Sequence, residues 1–264
     1  FNRKHAVVIL PLALVLFFNI AFRCSTVTFP QFKIQAKKIV DEIIGQGVAK
    51  EIHNRFPQYD PLARDRLIKT KTAEYKKQNR AEIRKQTNEF YLKLKDRYQD
   101  ESGQSYLMEL DCWHWARYVD NVLHHGYPGD TIVSGRQFDT YMLAPQGMFL
   151  FWDNFLYYAS AFLYNFFSIF KRVPLFTFLF YLPLFFIFLF VAVLYFFSYR
   201  LGGPIGALIS CLFIGLSPNF IPRSCAGWFD KDIFNLLLPL LVILTFVNAG
   251  TRISYKKRFL WVSF

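Results

Sequence analysis

The chain has 264 residues, 31 Lys and Arg against 19 Asp and Glu, and a formal net charge of +12. It is 53% hydrophobic and contains 32 Phe, many of them in long runs. A soluble domain has no use for so many exposed rings and a disordered chain would not carry them, so the composition points to a lipid-embedded protein.

In chain order, residues 1–22 form the first expected transmembrane helix, with its apolar stretch at Ala6–Phe22. No small-x-small cleavage site follows, only Phe22-Arg23-Cys24, so a retained anchor is expected rather than a signal peptide. Further helices are expected at 174–198, 204–221 and 233–248. Apolar runs of about 18 or more residues are read as spans because every backbone N–H and C=O in lipid must be satisfied inside the helix. The first residue is Phe1, and the chain ends soon after an apolar segment. It is therefore expected to be the N-terminal portion of something longer, with 249–264 a basic cytoplasmic turn and the start of another span. Cys24, Cys112, Cys211 and Cys225 show neither metal spacing nor a disulfide framework.

Residues 23–173 form the long first loop. Within it, 31–105 carry 17 Lys and Arg against 11 Asp and Glu, a net of +6. Lys69–Tyr98 has almost no Gly or Pro, and Ile68, Tyr75, Ile83, Phe90, Leu94 and Tyr98 recur at roughly helical spacing. Such a segment reads as a basic arm for nucleic acid or anionic headgroups, or as a solvated helical insertion. Interspersed opposite charges and the lack of a stacking pattern favour the insertion, with no nucleic acid partner.

The stretch 148–170 can be read as a span or as a helix lying on the membrane. Trp152, Phe155, Leu156, Ala159, Phe162, Leu163, Phe166, Phe167 and Phe170 make an apolar face. Asp153, Asn154, Tyr157, Ser160, Tyr164 and Ser168 make another. This amphipathicity suits an interfacial helix. If it does not span, Arg3, Lys4, Arg200, Arg252, Lys256, Lys257 and Arg258 share one side, as the cytoplasmic enrichment of cations expects. The loops 23–173 and 222–232 then share the external side.

Both external loops carry carboxylates beside an apolar boundary, where charge is a functional hypothesis by default. Asp111 opens the aromatic run Cys112-Trp113-His114-Trp115-Ala116-Arg117-Tyr118, and Asp230-Lys231-Asp232 heads the last apolar segment. Three converging carboxylates would suit a hard divalent cation such as Mg²⁺ or Mn²⁺. The same residues could equally cap the helices they precede.

The wider context carries more. Arg223-Ser224-Cys225-Ala226-Gly227-Trp228-Phe229-Asp230-Lys231-Asp232-Ile233-Phe234-Asn235 resembles the second external loop of oligosaccharyltransferase catalytic subunits, followed by an apolar segment with Pro239. Asp111 with its aromatics and Arg117 resembles the family's first-loop acidic motif within 106–147. Gly126-Tyr127-Pro128, Arg136-Gln137-Phe138-Asp139 and Ala144-Pro145-Gln146-Gly147 follow it, and Tyr199-Arg200-Leu201-Gly202-Gly203 resembles a tight cytoplasmic turn.

The resemblance implies an all-α polytopic membrane protein, a C-type glycosyltransferase-like helical bundle whose long external first loop carries the helical insertion. It implies N-glycosylation: transfer of an oligosaccharide from a polyprenyl-diphosphate carrier to Asn of an Asn-x-Ser/Thr acceptor. Catalysis would fall to Asp111, Arg223, Asp230 and Asp232, with Mg²⁺ or Mn²⁺ held by the three Asp. The partners implied are the lipid-linked oligosaccharide, the acceptor polypeptide and the bilayer. The location implied is a prokaryotic inner membrane with the site on its external face. The family's Trp-Trp-Asp motif does not occur in the chain, so this part alone is expected to be inactive. His114 is expected to pack and Lys231 to be solvated. The alternatives are another C-type glycosyltransferase using a lipid-phosphate sugar, and a non-enzymatic channel or scaffold.

Overall fold

The computed structural model describes residues 3–150 and 155–250. Trp152, Asp153 and Asn154 of the expected interfacial helix, and the basic cluster Arg252–Arg258, lie outside the described residues. The chain divides into two compact units, Phe1–Val27 with Ser105–Phe264, and Thr28–Gln104.

The first unit is the membrane body. Helix α1 (Arg3–Arg23) leads through a single turn, α2 (Ser25–Thr28), to the end of the unit. Helix α8 (Leu175–Gly215) runs for 41 residues, about 60 Å if straight, twice the thickness of a bilayer's hydrocarbon. It is not straight. Gly203 has φ 63° and ψ −164°, a backbone state open to Gly, and Pro204 follows it. The chain reverses there: Cys211 Sγ meets Val191 O at 3.7 Å, so the two halves lie against each other as a hairpin. Helix α9 (Phe234–Gly250) is the last apolar helix. Val8–Thr28, Leu175–Gly215 and Lys231–Gly250 are long and apolar enough to cross a membrane, and the protein is an all-α polytopic membrane protein by architecture.

Helix α1 packs closely on α8. A Cβ on Gly215 would lie 2.4 Å from Asn19 Oδ1, so the helices meet where α8 has no side chain. Tyr195 Oη of α8 donates to Val8 O of α1 at 2.9 Å, and Val15, Leu179, Ile187, Phe190 and Val191 belong to one buried core in this unit.

Helix α7 (Phe155–Ser168) has 14 residues among those described, about 21 Å. Its Leu156, Tyr157, Ser160 and Ala161 are buried, while Phe155, Phe162, Phe166 and Phe167 are exposed. Thus Tyr157 and Ser160, from the more polar face, pack inward and the Phe face is left outward, as lipid contact would favour.

Helix α6 (Leu110–His125) packs on α7. A small antiparallel sheet, unanticipated from sequence, follows: β1 (Thr131–Val133), β2 (Arg136–Asp139) and β3 (Met148–Phe149), in the order β1-β2-β3. Thr131 pairs with Phe138 and Phe138 with Phe149. The two-residue turn Ser134-Gly135 has φ of 51° and 76°, the left-handed pair that matches strand twist. These strands are too short to show a periodic signal.

The second unit holds α3 (Pro30–Arg55), α4 (Pro61–Gln78) and α5 (Arg80–Asp96), with Ala36, Val40, Ile44 and Ile52 buried along α3. The helix-forming stretch Lys69–Tyr98 is helical but interrupted at Asn79, whose Nδ2 donates to Tyr75 O at 3.0 Å. An Asn side chain bonding the last turn competes with the helical ladder and ends α4.

Candidate functional site

Two segments that are 119 residues apart in sequence meet in the first unit. Met108 N donates to Gly227 O at 3.0 Å, and Gly227 N donates to Phe180 O at 2.7 Å. Met108 lies three residues before Asp111, and Gly227 three before Asp230. Gly227 has φ 87°, and a Cβ there would sit 2.7 Å from the Phe180 ring. Only Gly suits this position, which needs both a left-handed backbone and room against a buried aromatic.

A buried cation holds the turn from below. Arg23 is fully buried at the end of α1. Its Nε donates to Ser224 Oγ at 2.8 Å, its Nη2 to Gly215 O at 2.7 Å, and its Nη1 to Asn19 O and Oδ1. The guanidinium lies 5.0 Å over the Phe220 ring. Ala226 N donates to Arg23 O at 3.0 Å, and Thr26 Oγ1 to Ala226 O at 2.7 Å. Sequence reading gave Arg23 no role. Its position, an Arg closing an apolar run, was the available signal.

Asp111 is exposed in the first turn of α6 and makes no side-chain hydrogen bond or ion pair among the described residues; the N-cap residue is Glu109, which also makes no cap bond. Asp111 and Trp113 edge an open cleft of about 560 Å³. Asp230 is half-buried and caps a 3₁₀ turn, Lys231–Ile233, accepting from Lys231 N at 2.6 Å. Burial pushes the Asp230 pKa up, and the adjacent Asp232 charge adds to this, against Lys231. Trp115 Nε1 is buried without a hydrogen bond, although it faces Asp230 closely enough to ease that carboxylate's charge. Asp232 pairs with Arg223 Nη1 at 3.0 Å, the Arg being 63% exposed. Lys231 is exposed, as expected of a solvated cation, and its ammonium lies 5.2 Å over the Trp115 ring.

Beneath the acidic turn, burial raises Cys112 to about 11 and pushes the Tyr157 phenol up, with Asp230 contributing to both. Both stay protonated at neutral pH. His114 is wedged against Trp115 and Tyr118 at ring separations of 4.7 and 4.4 Å. Burial first, then Arg117, lowers its pKa, so it packs as a neutral ring.

Among the described residues no group of three or more His, Cys, Asp or Glu lies close enough to hold a metal ion. Asp230 and Asp232 adjoin, Arg223 occupies one oxygen of Asp232, and Asp111 does not join them. As arranged, the three carboxylates do not fit a divalent ion.

A second carboxylate site was missed as such. Asp139 is fully buried at the end of β2 and accepts from Arg117 Nη2 at 2.5 Å, Tyr118 Oη at 2.6 Å, Tyr141 N at 2.9 Å and Met142 N at 3.3 Å. Burial opposes its charge, but the bonds from Arg117 and Tyr118 prevail and hold its pKa below the usual range. It ties α6 to the small sheet.

Residues 85–263 match the family described as "Oligosaccharyl transferase STT3, N-terminal". The chain belongs to this family. The STT3 match contains all four expected site residues and begins within α5, so α3 and α4 precede it. A dolichyl-phosphooligosaccharide-protein glycotransferase of Methanocaldococcus jannaschii is 32% identical over 178 residues, covering 65% of this chain and 19% of that protein. A protein of the same description from Methanococcus voltae is 28% identical over 179 residues, covering 66% and 19%. The matched part of the chain thus spans about a fifth of these relatives' length. No solved structure matches the chain significantly.

Proposed function

We propose that this STT3-family chain is the N-terminal part of an oligosaccharyltransferase catalytic subunit. In the whole enzyme it takes part in transfer of an oligosaccharide from a polyprenyl-diphosphate carrier to Asn of an Asn-x-Ser/Thr acceptor. The observation that supports this best is the Met108–Gly227 backbone bond, which gathers the two acidic segments at one membrane boundary. The proposed arrangement puts them on the external face, with Arg200 on the cytoplasmic one.

The chemistry gives the residues their roles. An amide nitrogen is a poor nucleophile, so carboxylates must orient it and draw on its N–H groups. Asp230, with two lone-pair-bearing oxygens and a pKa raised by burial, is suited to accept such a hydrogen bond. The departing diphosphate gains negative charge. Arg223, largely exposed beside Asp232, is placed to swing from that carboxylate to a phosphate oxygen, a fork-shaped donor for a fork-shaped acceptor. A divalent ion, Mg²⁺ or Mn²⁺, would add charge stabilisation at the leaving group. Holding one on Asp111, Asp230 and Asp232 requires Asp111 to approach the Asp pair and Arg223 to release Asp232, a rearrangement that donor binding would have to drive.

The test is glycan transfer to an Asn-x-Thr peptide by the full-length enzyme in proteoliposomes. Asp230→Asn and Asp232→Asn should each abolish most transfer while the protein inserts normally. Asn caps a helix about as well as Asp but is a weaker ligand and lacks the charge. Full transfer by both variants would make the carboxylates caps and end this reading.

A further inference from the structure

The Thr28–Gln104 unit lies mostly outside the family match, so its role must be read from its own chemistry. It carries 17 Lys and Arg against 11 Asp and Glu. Along the chain the signs alternate; in space they separate. Lys33 and Lys37 on α3 lie one turn apart, as do Arg80 and Arg84 on α5. The two rows line one cleft of about 980 Å³ together with Lys85, Lys76 and a single carboxylate, Asp41. Six cations against one anion leave +5 there, nearly all of the unit's excess of +6.

A neighbouring cleft of the same unit shows what compensation looks like. It measures about 410 Å³ and is edged by Glu51, Arg55, Lys71 and Glu74, two charges of each sign. These pair among themselves, Arg55 to Glu51 at 3.2 Å and Lys71 to Glu74 at 2.8 Å. In the basic cleft the ion pair is Lys76 to Asp41 at 2.6 Å, and Lys33 rests 5.3 Å over the Tyr91 ring. Lys37, Arg80, Arg84 and Lys85 are exposed and have no hydrogen bond or ion pair among the described residues. Gathering unpaired like charges in one concavity is unfavourable unless an anion completes it, and concave walls concentrate the field that attracts one.

We propose that this cleft binds the phosphate-bearing headgroups of anionic lipids. A bilayer is the polyanionic surface that this chain necessarily adjoins. Lys33 follows by only five residues the end of the apolar helix Val8–Thr28, and Lys37 by nine. Clustered cations just beyond a span are the pattern that anionic leaflets attract. Nucleic acid fits less well, because the cleft's aromatic residue, Tyr91, is occupied by Lys33 and donates to Thr28 O at 2.8 Å, leaving no ring for a base to stack on.

The proposal is independent of glycan transfer and is tested by binding to the full chain in neutral detergent. The probes are short-chain phosphatidylglycerol, short-chain phosphatidylcholine, inorganic phosphate and a single-stranded oligonucleotide. Phosphatidylglycerol should bind at least tenfold tighter than phosphatidylcholine, and its binding should weaken as salt rises. The double variant Lys37→Glu/Arg84→Glu should weaken it tenfold or more with helix content unchanged. Arg84→Lys should keep the binding, and so should Lys71→Glu in the compensated cleft. If the reversed charges disturb folding, Lys37→Gln/Arg84→Gln is read in their place. Equal affinity for the two lipids, inorganic phosphate as tight as phosphatidylglycerol, tighter binding of the oligonucleotide, or unchanged binding in the double variants would each overturn the proposal.

Discussion

Asp139 and Asp230 belong to the same unit and have opposite fates. Asp139 is fully buried, has four donors around it and is held ionised below the usual pKa. Asp230 is half-buried, has one backbone donor and a like charge beside it, and its pKa is raised. Burial opposes the charge of both; the supply of hydrogen bonds and the sign of the neighbouring charge, Arg117 against Asp232, differ. A carboxylate that serves architecture is satisfied by its own chain. One left short of donors at a boundary is ready to take its missing partners from a ligand.

The largest expected effect lies on the satisfied side. Asp139→Ala leaves the half-buried Arg117 without its anion and should cost about 3–5 kcal/mol of stability. It should appear as loss of folded protein in detergent before any transfer can be measured. Stable expression of Asp139→Ala would break the contrast at once.

Asp230→Asn should show the reverse pattern: transfer down by about 10²-fold or more, with the thermal midpoint unchanged or slightly raised. The pH profile sharpens this. Asp139 has a lowered folded pKa, so its stabilisation is present above the ordinary carboxylate pKa and is lost as pH falls through the lower folded value. Asp230 has a raised folded pKa, so between the ordinary and raised values the folded state holds more protons and stability falls as pH rises. Thermal midpoints measured against pH should lose that descending limb in Asp230→Asn and keep it in the protein with Asp230 intact.

Tyr118→Phe removes one of the four donors to Asp139 and should cost about 1.5–3 kcal/mol, as for a hydrogen bond to a charge, without changing the KM for acceptor peptide. The smallest change in stability belongs to Arg223→Ala. Its pair with Asp232 is mostly solvated and should contribute under about 1 kcal/mol, so a measurable loss of turnover with an unshifted midpoint is the expected result.

The parts of this fold that repeat were legible in the sequence. Long apolar runs announce α1, both arms of α8 and α9, because lipid forces helix on any such run. The acidic motifs were legible as a family pattern at Asp111 and Arg223–Asp232. What sequence could not give was partnership. Nothing local pairs Asp232 with Arg223, separates Asp111 from the other two carboxylates, or tells that Arg23 reaches Ser224 and Gly215 across some 200 residues. The sheet at 131–149 escaped for another reason, since strands of two to four residues are too short for alternation to register. In α7 the amphipathic pattern was visible, but only packing shows that Tyr157 and Ser160 face protein and the Phe residues do not.

The joint between the two acidic segments is made of main chain on both sides, Met108 N–H to Gly227 C=O. Such a joint is nearly blind to drift in amino-acid identity. Position 108 can exchange its side chain among most residues and keep the contact, because the donor comes with every residue but one. Proline is that exception, as it carries no N–H. Position 227 has the opposite tolerance, being confined to Gly by its conformation and by the ring of Phe180. A saturation survey of position 108 would thus be nearly silent, with a single failing column, while the seam it guards holds the two halves of the acidic face in register.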